Sequence, residues 1–186
     1  MIKQRKVNSA EVICAKAENL PFADNAFDVA LAILSVHHWF DWEDGLREMR
    51  RVARDKVVIL TWNPTHEGFW LVRDYFPDIL DCDRSIFPTI PAFERVLGKI
   101  DVQKVPIPHD CLDGFLGAYW RRPSAYLDPE VRSAISTFAR IDNVASRRDR
   151  LRSDIENGLW ARKNADILDI EQLDIGYRLI IHQIEN

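Results

Sequence analysis

The chain has 186 residues, 47% of them hydrophobic, and a formal net charge of −4. That size supports one substantial core, so a single domain with an appended subregion is expected, and the acidic balance gives no general pull toward nucleic acid or anionic membrane. Cys14, Cys82 and Cys111 are odd in number and lack Cys-x-x-Cys spacing, which argues against a metal site or disulfide framework.

In chain order, Val12-Ile13-Cys14-Ala15 reads as a short strand. Phe27 to Leu34 is almost continuously apolar, the pattern of a parallel strand covered on both faces. Asp41 is placed to cap a helix in which Leu46, Met49 and Ala53 share one face. Glu43 and Asp44 fall in its first turn and Arg50, Arg51 and Arg54 in its last, which complements the helix dipole. Lys56 to Trp62 is a further buried strand, stopped by Asn63-Pro64, and this strand–helix–strand unit requires a crossover and hence parallel pairing. Residues 66–100 read as two helices with an irregular middle: an aromatic face of Phe69, Trp70, Tyr75 and Phe76 before Pro77, then a segment from Pro91 to near Gly98. A weak strand, 101–107, is bounded by Pro106 and Pro108. Residues 110–165 are helical by period, with Leu112, Phe115, Leu116 and Tyr119 on one face, Val131, Ile135 and Phe138 on another, and Leu151, Ile155 and Leu159 on a third. The chain closes with an edge-proximal strand around Ile175 to His182.

The run Ala17-Glu18-Asn19-Leu20-Pro21-Phe22-Ala23-Asp24-Asn25-Ala26-Phe27-Asp28, with Ser35-Val36-His37-His38-Trp39 beyond it, carries a further signal. It resembles the signature that follows the third strand of class I S-adenosylmethionine-dependent methyltransferases, in their type 11 small-molecule branch. A looser likeness extends to Ala118–Pro123 and Asp174–Leu179. The resemblance implies an α/β fold: a partial Rossmann-like sheet with the family's third to seventh strands at 11–16, 27–35, 56–62, 101–107 and 174–184, and a helical cap inserted before the last strand. The core would then be 1–107 with 166–186, and the cap 108–165. The implied chemistry is methyl transfer from S-adenosylmethionine to a small molecule. In the family the turn after the third strand contacts the adenine, here Ala17 and Glu18, and the end of the fourth strand lies beside the methionine moiety, here Leu34, Ser35 and Val36. Lys16 stands where the family often has a carboxylate facing the adenine amino group.

His37 and His38 are the candidate catalytic residues, because open α/β sheets bind ligands at the carboxyl ends of their strands. One could act as a base or orient an acceptor; the competing reading is structural packing at the strand–helix turn. Trp39, Phe40, Trp42, Trp62, Phe69, Trp70, Tyr119 and Trp120 are candidates for an aromatic wall around a flat or apolar acceptor, or for ordinary core. The Arg147–Arg152 cluster reads as a solvated helix face, so no nucleic-acid partner is expected. No metal site and no membrane partner are expected either, and the lack of a signal core after Met1 makes the cytoplasm the expected location.

The sequence has no Gly-x-Gly and no glycine before Gly45. A fully bound cofactor needs the amides of a glycine-rich turn and a carboxylate for the ribose hydroxyls. The expectation is therefore an N-terminally truncated methyltransferase, with Met1 to Arg5 as the end of the helix before the third strand. Binding of S-adenosylmethionine is expected to be weak or absent. Without the first two strands the fourth keeps an open edge. Either residues 11–16 pair with 27–35, or two copies join as a homodimer through that edge. The alternative function is a non-catalytic remnant acting as a protein-interaction module.

Overall fold

A computed structural model describes residues 10–185, so the expectation for Met1 to Arg5 lies outside the described residues. Four strands form a mixed sheet: β1 (Phe27–Ile33), β2 (Ala53–Trp62), β3 (Asp101–Lys104) and, after the two-residue strands β4 (Ile107–Pro108) and β5 (Gln172–Leu173), β6 (Tyr177–Gln183). Their order is β1-β2-β6-β3, with β1 and β2 parallel and β6 antiparallel to both its neighbours. The closing strand is thus next to an edge, and it completes an antiparallel pair with β3.

The crossover from β1 to β2 is α1 (Trp42–Val52). Asp41 caps it, its carboxylate accepting from the amides of Glu43 and Asp44 at 3.1 Å each. Leu46, Met49 and Val52 bury its apolar face. Farther on come a π-helical turn (Leu71–Tyr75), α2 (Asp78–Ile86) and α3 (Ile90–Leu97), which ends at Gly98 with φ of 85°.

Two layers of core flank the sheet. Val57 and Ile59 point to one face, with Leu46, Phe93 and Leu97. Leu60 and Trp62 point to the other, with Trp70, Trp120, Tyr126 and Trp160. Buried indoles need acceptors. Trp62 Nε1 donates to the Ile175 carbonyl, Trp70 Nε1 to that of Trp120, and Trp120 Nε1 to that of Ile107.

Three expectations are corrected. Residues 11–16 form no strand: they are exposed, and Lys16 makes only an isolated bridge with Asn19. Their short apolar run finds no ladder to join, and it does not repair the edge of β1. Among the described residues β1 itself is covered on one face only. Ala32 is buried, whereas Phe27, Val29, Leu31 and Ile33, on the opposite face, are 43%, 43%, 60% and 57% exposed. Nor are residues 109–122 helical. Leu112 is 98% exposed, and a Cβ at Gly117 would lie 2.3 Å from Ile175 Cδ1, so this stretch follows individual contacts rather than a helical period. Farther along the chain come the α-helices α4 (Pro129–Ser133), α5 (Val144–Glu156) and α6 (Leu159–Lys163).

Candidate functional site

The run Leu20 to Asp24 is clasped onto α1 by two charged residues. Arg51 donates to the carbonyls of Phe22 (2.7 Å) and Leu20 (3.0 Å) and pairs with Asp24 (2.8 Å) and Glu48 (2.7 Å). Glu48 in turn accepts the Leu20 amide at 2.8 Å, and the Arg51 guanidinium holds its carboxyl down to about 2. Phe22 rests edge-on against Phe27, ring centroids 4.8 Å apart. Glu18 accepts the Asp41 amide at 2.9 Å, a bond that keeps its carboxyl below the usual range. The acidic and apolar positions of the signature therefore hold a loop along α1, Glu18 at its start and Asp24 at its last turn.

Beyond β1 the chain turns sharply. Leu34 has φ of 45°, a left-handed conformation that a bulky residue rarely adopts, while its amide still donates to the Leu60 carbonyl. A 3-10 turn, Val36–His38, follows. This bend aims Leu34, His37 and His38 into a cavity of about 150 Å³ between the strand ends and the inserted segment. Trp62, Asp83, Phe87 and Tyr177 complete its inner wall, and the exposed Gly114, Ala134 and Ser136 stand at its mouth. The His37 ring stacks on Phe87 at 3.9 Å and lies 3.9 Å from the His38 ring.

Burial sets the electrostatics of this cavity. It pushes His37 down to about 4, aided by His38 and Arg140, and lowers His38 as well. Both imidazoles are neutral at neutral pH and can accept hydrogen bonds. Asp83, only 3% exposed, is pushed up to about 7 by burial, against the opposing pull of Thr137 and Arg140. Its one carboxylate hydrogen bond among the described residues comes from Thr137 Oγ1 at 3.4 Å. Buried Tyr177 is raised for the same reason of desolvation.

A second cavity, of about 300 Å³, lies beside β1 and is lined by Ala17, Leu20, Phe27, Leu31, Ser35 and Trp39 among others. Gly45 makes room for that tryptophan, since a Cβ there would lie 2.4 Å from Trp39 Cε3.

The residues expected to touch cofactor are therefore not gathered in one place. Ala17 and Ser35 line the second cavity and Leu34 the first. Glu18 braces the start of α1, and Val36 is core, 2% exposed. His37 and His38 do come together, in the first cavity. Of the aromatic candidates, Trp62 lines that cavity, Trp39 the other, and Trp42 packs near Phe93. Phe69, Trp70 and Trp120 are core, Tyr119 is part-buried, and Phe40 is fully exposed. Asp83, Phe87 and Phe115 were missed. A signal for Asp83 existed: it follows Ile79 at i+4, which puts an acid on the buried stripe of α2. Among the described residues no group of three or more His, Cys, Asp or Glu is arranged to hold a metal ion, and no helix is long and apolar enough to cross a membrane.

Comparison with known proteins agrees with this architecture. A family model described as "Methyltransferase domain" matches residues 1–61. A rice (Oryza sativa subsp. japonica) 2-methyl-6-phytyl-1,4-hydroquinone methyltransferase is 34% identical over 116 residues, 62% of this chain and 32% of the relative. A demethylmenaquinone methyltransferase of Corynebacterium urealyticum is 39% identical over 95 residues, 49% of this chain and 41% of the relative. The matched region is thus less than half the length of either curated relative. A solved structure from Anabaena variabilis ATCC 29413, assigned as a methyltransferase of an antibiotic biosynthesis pathway, is 33% identical. It superposes with a TM-score of 0.82 over 92% of this chain and 72% of its own. With sequence identity and backbone agreeing over most of both chains, this protein belongs to the type 11 branch of the S-adenosylmethionine-dependent methyltransferases.

Proposed function

We propose that this chain carries the acceptor site of a methyltransferase acting on a small, ring-bearing molecule, received in the cavity between the strand ends and the segment 108–165. The observation that carries the reading is that cavity's place and size. It lies at the carboxyl ends of β1 and β2, where open α/β sheets bind ligands. At about 150 Å³ it matches the volume known to hold one benzene-sized ring. The curated relatives are named for hydroquinone and menaquinone chemistry, which supports a ring as acceptor. Segment 108–165 serves as its cap, and neutral His37 and His38 orient the acceptor through their ring nitrogens.

S-adenosylmethionine supplies an already activated methyl group, so the protein's task is alignment and exclusion of water. The second cavity suits only the flat, apolar part of that cofactor, which Ala17, Ser35 and Trp39 could face. Among the described residues it offers no carboxylate for the ribose hydroxyls and no glycine-rich array of amides. We therefore propose weak or no cofactor binding by these 186 residues alone. Calorimetric titration with S-adenosylhomocysteine checks this, and micromolar affinity would refute it. For the acceptor cavity, NMR titration with small phenols should shift signals of Leu34, His37, Phe87 and Phe115. Shifts confined to other regions would remove the assignment.

The bare apolar face of β1 favours a second reading, a non-catalytic interaction module that joins a second copy of this chain. A cytoplasmic setting is part of the proposal, and the free thiols of Cys14, Cys82 and Cys111 are in keeping with it.

A further inference from the structure

We infer that Asp83 engages an acidic O–H of the acceptor in the cavity beneath the insert and takes its proton. The O–H bond breaks, the proton passes to the Asp83 carboxylate, and the electron pair stays on the ring oxygen. This assignment rests on the reading of the cavity as the acceptor site. It begins with placement, since Asp83 on α2 lines the same cavity as His37, Phe87 and Tyr177.

A buried carboxyl with no ion pair is costly, and folds normally supply it with close donors. Asp154, the other acid buried to a similar degree, has one: the Tyr75 hydroxyl donates to it at 2.8 Å. Asp83 has only Thr137 Oγ1 at 3.4 Å, the long limit of a hydrogen bond, and makes no salt bridge among the described residues. A donor arriving in the cavity would satisfy it.

The neighbouring bases are poorer choices. The His37 ring is stacked on Phe87 and crowded by His38, each at 3.9 Å, and burial pushes it down to about 4. A general base works best with a pKa near the working pH, and Asp83 meets that condition at about 7. The titratable and charged groups around it are His37 and His38 from the turn after β1, Arg140 beyond the Ser136–Ala139 turn, and Tyr177 from β6. His37 is pushed down to about 4, His38 lies below its ordinary value and the tyrosine above its own, so the comparison of wild type with Asp83→Asn over the same span, about pH 6 to about pH 8.5, separates the carboxyl from its neighbours.

The test is binding of phenol against its near-isostere toluene to the full chain, followed by NMR in a series of pH steps from about pH 6 to about pH 8.5. The ratio of phenol to toluene affinity should rise about tenfold over that span, since a hydrogen bond to an ionised carboxylate is the stronger one. Asp83→Asn, similar in shape and uncharged, should leave the ratio flat. Thr137→Val, which takes away the carboxylate's donor, should move the midpoint of the rise to higher pH while leaving the rise intact. A flat ratio in the wild type, or an equal rise in Asp83→Asn, overturns the assignment. Because the readout is binding, the two readings fail separately. A chain that transfers no methyl group yet shows the Asp83-dependent ratio keeps this assignment, and one that methylates phenols with a flat ratio loses it.

Discussion

Asp83 and His37 set opposite pH dependences on the same cavity. Asp83 has its folded pKa raised from 3.8 to about 7, so the fold binds its proton more tightly than the unfolded chain does. Its protonated form is compatible with burial at low pH, and stability is lost as pH rises from about 4 to about 7, by up to about 4 kcal/mol at roughly 1.4 kcal/mol per pKa unit. His37 has its folded pKa lowered from 6.5 to about 4, so stability is lost as pH falls through that same span. In the wild type the two oppose each other between pH 4 and 6.5. Asp83→Asn should unmask the histidine: urea denaturation should show stability climbing from pH 4 to 6.5, and a variant more stable than wild type at pH 8. Gly45→Ala poses a different contest. An alanine in a helix normally gains about 1 kcal/mol over glycine, but here the new Cβ would meet Trp39 Cε3 at 2.4 Å. Overpacking of that kind typically costs about 1–3 kcal/mol, so the melting temperature should fall.

At the scale of elements, α1 is the anchor for the loop before it. Its own start depends on Asp41, and Asp41→Ala should cost about 1 kcal/mol of stability by thermal melting. The Arg51 clasp acts more locally, because its ion pairs reach solvent and its contribution lies in fixing the carbonyls of Leu20 and Phe22. Arg51→Met should therefore speed hydrogen exchange at the Leu20 amide while changing the global melting temperature little. An unchanged exchange rate would show that Glu48 alone holds the loop. The strand–helix–strand unit was legible from the sequence because Asp41, the buried positions of α1 and the stop at Asn63-Pro64 are local signals. The insert was not. Gly117 and Phe115 each answer to a distant partner, Gly117 to Ile175 and Phe115 to Tyr177, and such contacts leave no helical period that holds.

For the molecule as a whole, the dominant feature is the exposed row Phe27, Val29, Leu31 and Ile33 beside a strand edge that is unpaired among the described residues. An edge of this kind templates association. Light scattering should show an average mass that rises with concentration, and Leu31→Lys should suppress that rise by placing a charge in the row. A mass that stays monomeric at high concentration would remove the homodimer. The same row explains why β1 reads as a doubly covered strand. Apolar continuity marks a strand as suited to burial on both faces, and it carries no information on which layers pack against it.

The sequence by itself determined the family, the capped crossover helix and the parallel pair it joins, because a signature of loop, strand and helix start is contiguous and its contacts are short in range. It also brought the two histidines to the strand end, where chain order alone decides their place. Only the tertiary structure decided that residues 11–16 lie outside the sheet and that Val36 is core. It alone brought Asp83, Phe87 and Tyr177 to the same cavity as His37. Those outcomes depend on which surfaces meet across the sheet, and a side chain's burial and pKa follow from neighbours that sequence spacing does not specify.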